Sequence, residues 1–386
     1  MGLRSLSRLT YQVCLKKIPP SLAVTVQTNF CPKCGIFTPP VKRAKALYDP
    51  ENKGERQDGV NFDTIGSWNN RLNLPLNEKQ SARRGEPIPQ ISIDDIGYAT
   101  VIGRRTENQD RFKVSELTPD ILYFAIFDGH GTAEAADFVH SRLEDHIKYW
   151  LQRTKDLQMV LKRSFVDVDN MFNRFTYSKQ KQKDWIKAEP SNSEEVTLAY
   201  TGTTATVCLL RNGVELVIGH VGDTCAILCR QSKAIRLTAD HEPEMASERE
   251  RIESSGGSVI WDSLGRPLVN GILAMSRSIG DQDLKPFGVS AVPDTRSVGV
   301  RHSKDSFLVL ITDGISFVMN DQEITDTISN CKNPMEGAKV ITDQALQFGS
   351  QDNSTCVVIP FGAWGKFAGM KGNMPFSFSR IPNRSH

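Results

Sequence analysis

The run Ile121–Phe127 is almost wholly apolar and ends in Asp128-Gly129-His130-Gly131. A carboxylate leaving a buried strand is held rigidly, as a metal ligand must be. Gly129 leaves room for a backbone carbonyl to approach an ion. His130 titrates near neutral pH and could give a proton to a departing alkoxide. Leu310-Ile311-Thr312-Asp313-Gly314 repeats the pattern, and Gln351-Asp352-Asn353-Ser354-Thr355 sets a third aspartate before another apolar run. Asp128, Asp313 and Asp352 would offer the hard oxygen ligands that Mg2+ and Mn2+ prefer. Two such ions sharing a carboxylate can activate a water and clamp a phosphoryl group. A fourth motif, Gly103-Arg104-Arg105-Thr106-Glu107-Asn108-Gln109-Asp110, brings an arginine suited to bidentate contact with phosphate oxygens. Taken singly, each is an ordinary turn or a solvated charged loop. The weight lies in the set.

These side chains need a frame. Ile121–Phe127, Thr204–Leu210, Glu215–Val221, Ala226–Cys229, Ser306–Thr312 and Ser354–Pro360 read as strands. Asn212-Gly213 marks a hairpin between the second and third. Ala133–Trp150, Leu157–Phe175, Asp321–Asn330 and Pro334–Phe348 carry helical spacing. Hairpin-linked strands with paired long helices predict an α+β fold, an antiparallel sandwich with helices packed outside. Tyr177–Val196 is polar and Lys/Gln-rich and reads as a lid-like loop.

The bulk properties bound the rest. A chain of 386 residues with 39% hydrophobic and 24% charged content can bury a sizeable core. The net charge of +2 gives no case for nucleic acid. Its distribution is uneven, because residues 1–48 hold eight of the 47 basic residues and none of the 45 acidic ones. A basic, acid-free head is the composition of a mitochondrial transit peptide. The organisation predicted is a leader at 1–48, a linker at 49–89, a catalytic domain at 90–365 and a basic tail at 366–386. No stretch reads as a membrane span. The eight cysteines read as free thiols, and Cys31-Pro-Lys-Cys34, the sole CxxC, lacks the second pair that a zinc ribbon needs.

Over roughly residues 90–360 the four motifs stand in one order with Gly202-Thr203-Thr204-Ala205, Val221-Gly222-Asp223, Asp240-His241, Gly256-Gly257 and Arg277-Ser278-Ile279-Gly280-Asp281. The ordered set resembles the protein phosphatase 2C family, the Mg2+/Mn2+-dependent protein phosphatases. The resemblance implies a central antiparallel β-sandwich flanked by helices on both sides, in four layers (α/β/β/α), with a metal cleft at one end. It implies hydrolysis of phosphoserine and phosphothreonine by a water activated between two Mn2+ or Mg2+ ions, with a weaker third. Carried over by position, Asp128 would bridge both ions and Gly129 would give its carbonyl to one. Asp313 and Asp352 would ligate the other. Arg105 would hold the substrate phosphate and His130 would be the general acid. Asp223 would serve the third ion, with Asp110 and Gln109 beside it or behind the ligands. Gly85–Ile93, Leu122–His130, Asp305–Gly314 and Pro360–Lys366, with the basic leader, resemble the family's mitochondrial branch that acts on the branched-chain α-keto acid dehydrogenase complex. The partner implied is a phosphoprotein, the E1α subunit of that complex, in the mitochondrial matrix.

Several positions depart from the family pattern. Gln109 stands where a Glu is usual, Cys225 where an Arg is usual, and Thr132 where a second Gly is common. Val292-Pro293-Asp294 replaces a Glu-Pro pair, and Ser316-Phe317 replaces Trp-Asp. None removes a metal carboxylate. They keep open a second reading, a pseudophosphatase that binds a phosphorylated partner, and a third, a small-molecule metallohydrolase on the same fold. The Tyr177–Val196 segment and the Arg277–Asp281 loop are placed to shape substrate choice.

Overall fold

The computed structural model describes residues 70–186 and 200–368. Two five-stranded antiparallel sheets dominate. The first runs in the order Asp294–Gly299, Glu215–Val221, Ala205–Arg211, Ile121–Phe127 and Arg111–Thr118. The second runs Gly97–Val101, Ser354–Pro360, Asp305–Ile311, Cys225–Arg230 and Lys233–Arg236.

The apolar runs are continuous because both faces of these strands are buried. Along Ile121–Phe127, Phe124 and Ile126 face the other sheet, while Tyr123, Ala125 and Phe127 face the helices Glu134–Leu151 and Leu157–Ile186. Along Asp305–Ile311, Leu308 and Leu310 face inward. Phe307, Val309 and Ile311 pack against the helices Asp321–Ser329 and Pro334–Gln347. The period of two thus splits each strand between two cores, and three cores separate four layers. This is the α/β/β/α sandwich expected. At Asn212 (φ 56°) and Gly213 (φ 71°) both turn residues adopt the left-handed region that a tight hairpin requires. A smaller core of Ile252, Val269, Leu273, Leu284 and Val289 supports a satellite of the helix Ala246–Ser254 and the hairpin Val259–Trp261/Pro267–Val269.

Two stretches differ from expectation. Within the predicted linker, Leu74 and Ile88 are buried, and the helix Glu78–Arg84 is capped by the Asn77 side chain and by Gly85 at φ 70°. Two isolated apolar anchors in a polar stretch leave no periodicity to read, yet they fix it to the body. The helix beginning at Leu157 runs to Ile186, through the first half of the predicted lid-like loop. Lys and Gln are good helix formers, so a polar composition did not imply a loop there. Residues 187–199, the leader with Cys31 and Cys34, residues 49–69 and the tail beyond Ala368 lie outside the described residues. Among those described, no helix is long and apolar enough to cross a membrane.

Candidate active site

Antiparallel pairing brings alternate strand ends to the same edge of the sandwich. Ile121–Phe127 and Asp305–Ile311 end there, delivering Asp128 and Asp313, and Ser354–Pro360 begins there, just after Asp352. Glu215–Val221 also ends there, ahead of Asp223, and Arg111–Thr118 starts there, just after Asp110.

Each carboxylate is held by its surroundings. The Asp128 N–H donates to Thr204 Oγ1 (2.9 Å), and the Asp128 carbonyl accepts from Thr204 N (2.9 Å) and Thr203 Oγ1 (3.0 Å). The Gly-Thr-Thr motif therefore anchors the Asp128 turn. Gly129 lies so near the Gln109 backbone that a Cβ would stand 2.8 Å from its carbonyl oxygen. Asn353 stitches two motifs together. Its Oδ1 accepts from Gln109 N (2.8 Å), and its Nδ2 donates to the carbonyls of Ile102 (2.8 Å) and Glu107 (3.1 Å).

The electrostatics show that the aspartates share one site. Burial, then Asp313, Asp110 and Asp223, push the Asp128 carboxyl well above the usual range, and in its protonated form Asp128 donates to Asp313. Burial, then Asp352, raise Asp313. Burial lifts Asp110 to about 7 despite hydrogen bonds from Thr355 and Thr312, with Asp313 and Asp352 adding to the rise. Burial, then Asp313 and Asp240, lift Asp223 to about 8. Asp110 Oδ1 and Asp223 Oδ1 are both buried without a protein partner. Carboxylates crowded in this way need protons or cations to balance them. Among the described residues no three His, Cys, Asp or Glu side chains already close around one ion position. The oxygen-only donor set and the two orphaned carboxylate oxygens nevertheless fit Mg2+ or Mn2+.

Arg105 lies at the mouth of the cluster, its side chain 60% exposed, and ion-pairs with Asp352 at 2.6 Å. Asp313 and Asp128 also act on it. Gln109 has a weak contact, Nε2 to the Gly131 carbonyl at 3.5 Å. His130 Nε2 stands 2.9 Å from both oxygens of Asp281, while His130 Nδ1 is buried without a partner. Burial disfavours the imidazolium, but the Asp281 carboxylate outweighs it and the net shift is upward.

The Asp223 loop has its own support. Gly222 N donates to His241 Nδ1 (3.1 Å), so His241 presents Nε2–H to Asp294 (3.2 Å). The His241 ring stacks on His220, and burial lowers the pKa of both. The lost arginine at 225 has a local substitute, because the Arg236 guanidinium contacts Cys225 Sγ and reaches Asp240 at 3.0 Å. Arg277, at the start of the loop expected to shape substrate choice, is bound by Glu248 (2.6 Å) and Asp294 (2.7 Å). Phe317, one turn beyond Asp313, is 80% exposed.

Sequence reasoning placed Asp128, Gly129, Asp313, Asp352, Asp223, Asp110, Gln109, Arg105 and His130 in one site, and the structure brings them to one edge. It missed Asp281 as the partner of His130, Asn353 as the stitch, and the Thr312–Asp110–Thr355 bonds. Asp281 and Asn353 sat in quoted motifs. Their side-chain partners, 151 and 244 residues away in the chain, left no local trace.

The protein phosphatase 2C family model matches residues 101–354. "Protein phosphatase 1K, mitochondrial" of Xenopus laevis is 48% identical over 319 residues, 83% of this chain and 81% of that protein. "Probable protein phosphatase 2C 59" of Arabidopsis thaliana is 32% identical over 305 residues, 78% and 91% of the two chains. The crystal structure of a serine-threonine phosphatase 2C from Toxoplasma gondii superposes with a TM-score of 0.60 at 22% identity, covering 69% of this chain and 94% of that one. At that identity the likeness speaks for the fold alone. The matched span, the similarity over most of the chain and the shared sandwich agree, and the chain belongs to the protein phosphatase 2C family of protein serine/threonine phosphatases.

Proposed function

We propose that the chain hydrolyses phosphoserine and phosphothreonine esters in the mitochondrial matrix, with the E1α subunit of the branched-chain α-keto acid dehydrogenase complex as substrate. The observation that carries the chemistry is the convergence of Asp128, Asp313 and Asp352 with Arg105 and His130 at one edge of the sandwich. Similarity to a mitochondrial relative and the basic leader support the address. In this reading residues 1–48 are the transit peptide and the catalytic domain spans 90–365, with the anchored segment from residue 70 packed onto it.

Asp128, the Gly129 carbonyl, Asp313 and Asp352 would hold two Mn2+ or Mg2+ ions, and Asp223 with Asp110 a weaker third. Bound there, the ions would lower the pKa of water and offset phosphate charge. Arg105 is free on its solvent side to swing from Asp352 to the substrate's phosphate oxygens, where its planar fork makes bidentate contact. His130, whose imidazolium form the Asp281 carboxylate favours, would deliver a proton to the serine or threonine oxygen as it leaves.

A pseudophosphatase is the second reading, and Gln109 favours it by removing a negative charge beside the cluster. Cys225 no longer does, since Arg236 brings a guanidinium to that spot. Phosphate release from an E1α phosphoserine peptide decides between them, run with Mn2+, with Mg2+ and with chelator. Metal-dependent turnover abolished in Asp313→Ala supports the enzyme. Binding without turnover in the wild type, with turnover restored by Gln109→Glu, supports the second reading.

A further inference from the structure

We infer that Phe317 selects the substrate: it packs against an apolar side chain that lies within three residues of the phosphoserine or phosphothreonine. The inference rests on the reading of the acidic edge as the place of hydrolysis. It adds a feature of the polypeptide that the site takes.

Ser316-Phe317 stands where the family pattern carries Trp-Asp. The exchange takes a negative charge from this position and puts an aromatic ring in its place. Phe317 is 80% exposed, more than any other large hydrophobic residue of the described chain. A ring left in water adds nothing to the core, so its apolar surface is available to a partner.

The turn that carries Asp313 fixes where this ring stands. Asp313–Ser316 is helical, Phe317 continues it at φ −66° and ψ −34°, and the Phe317 N–H donates to the Asp313 carbonyl (2.8 Å). Residues four apart on a helix share one face, with Cβ atoms about 6 Å apart. Asp313 is partly buried and Phe317 is exposed, so this face opens to solvent from the first to the second. The Asp313 carboxyl hydrogen-bonds with Asp128, and its charge acts on Arg105. Phe317 therefore stands one helical turn out from the cluster.

The turn is also rigid. Ile315 and Met319, on either side of Phe317, are buried at 0% and 3% exposure, and the Met319 N–H donates to the Ile315 carbonyl (3.0 Å). A ring held on such a turn can discriminate between partners, whereas one on a loose loop would adapt to them.

A phosphorylated residue that places its phosphate in the cluster brings its neighbours across the mouth. Three residues of extended chain span about 10 Å, which exceeds the step from Asp313 to Phe317. Where the chain crosses the Asp313 turn, a residue within three of the phosphoserine meets the ring. An apolar side chain there removes apolar surface from water, while a polar one is desolvated without a partner. Such a contact is the same in the ground state and the transition state, so it acts on KM and not on kcat.

The test uses the full-length chain with Mn2+ and a set of phosphoserine peptides. Each of the three positions on either side of the phosphoserine is in turn Leu or Ser, in an otherwise constant background. The wild type is expected to favour Leu about tenfold at one position or more, through KM. Phe317→Ala should reduce that ratio to about twofold or less, and Phe317→Leu should keep most of it. No Leu preference in the wild type, or a preference that persists in Phe317→Ala, would overturn the inference. So would an equal loss on the Leu and Ser peptides, which is the mark of a merely structural role. If Phe317→Ala does not fold, Phe317→Gln takes its place with the same ratio as readout. Sedimentation runs alongside: a dimer lost in Phe317→Ala, with the peptide ratio unchanged, would assign the ring to a second copy of the chain and overturn the inference. If the wild type turns over no peptide, the catalytic reading fails by itself. Fluorescence anisotropy of the same peptides then reads the preference as a ratio of Kd, with the same two outcomes.

Discussion

Thr355 donates a 2.7 Å hydrogen bond to Asp110 Oδ2, while Asp110 Oδ1 is buried with no protein partner. Half of this carboxylate is satisfied by the fold and half is left for something else. Asp110 and Asp223, at about 7 and about 8, hold protons at pH values where the unfolded chain, with carboxyl pKa near 4, has lost them. The metal-free fold therefore binds more protons than the unfolded chain between about pH 4 and pH 8, and its stability falls as pH rises through that window. Mn2+ bound at the cluster would replace those protons. Scanning fluorimetry with Mn2+ and with chelator should show a Tm gain of several degrees at about pH 8 and a clearly smaller gain at about pH 6. A gain that is equal at both, or larger at the lower pH, would contradict the assignment of these two groups to the metal cluster.

Gly314 follows Asp313 and lies against the loop that carries Asp352, so that an added Cβ would stand 2.0 Å from the Asn353 carbonyl oxygen. The clash is with backbone and no side-chain rotation relieves it. Gly314→Ala is expected to cost about 3 kcal/mol, toward the upper end for overpacking. In a domain of this size that lowers Tm by several degrees. Because the shift would part Asp313 from Asp352, Mn2+ affinity should fall as well. Circular dichroism melts and calorimetry check both, and a variant with unchanged Mn2+ binding would mean that the two loops move independently.

The sandwich was legible because its strands are buried on both faces and so read as unbroken apolar runs. The edge strands were not. Arg111–Thr118, Gly97–Val101 and Asp294–Gly299 carry exposed or half-exposed residues and β-poor types such as Lys, Arg, Glu and Gly. Their strand character comes from neighbours that only the tertiary fold supplies. The site divides in the same way. Asp128 and Asp313 follow strong strands and carry turn glycines, so sequence marks them. Asp281 looks like any aspartate after a glycine, and its importance arises from His130, 151 residues earlier. Arg277 lies in the loop expected to shape substrate choice, and the buried Glu248 that claims it is visible only in three dimensions.

Gln109 contributes its backbone N–H to Asn353 and its carbonyl to the close packing at Gly129, and neither role depends on its side chain. Gln109→Glu should therefore fold normally. It adds a carboxylate beside Asp110 and Asp128, which raises repulsion without metal and attraction with it. We expect Mn2+ affinity to rise about tenfold and Tm in chelator to fall slightly. Isothermal titration with Mn2+ and melts in chelator measure the two effects. Unchanged affinity would show that the amide already serves the site as well as an acid would.

Glu248 ties the satellite to the catalytic edge. It is 2% exposed, and its oxygens accept from Arg251 (2.8 and 2.7 Å), Arg277 (2.6 and 3.0 Å) and Ser276 Oγ (2.6 Å). Burial alone would raise its pKa, but Arg277, Arg251 and Ser276 overcome that and hold it well below the ordinary glutamate range. Its contribution is thus present above the unfolded glutamate pKa near 4.3 and is lost as pH falls below it. Glu248→Ala strands two arginines around a desolvated space and is expected to cost about 3–5 kcal/mol. The damage should be local at first. Hydrogen exchange should speed up across residues 246–275 and in the Ser276–Asp281 loop before it does in the two large sheets. Removing Arg277 as well, in Glu248→Met with Arg277→Met, should recover part of the loss, because only Arg251 is then left without its carboxylate partner. If the double variant is as unstable as the sum of its parts, the network acts as independent contacts and not as one linked unit.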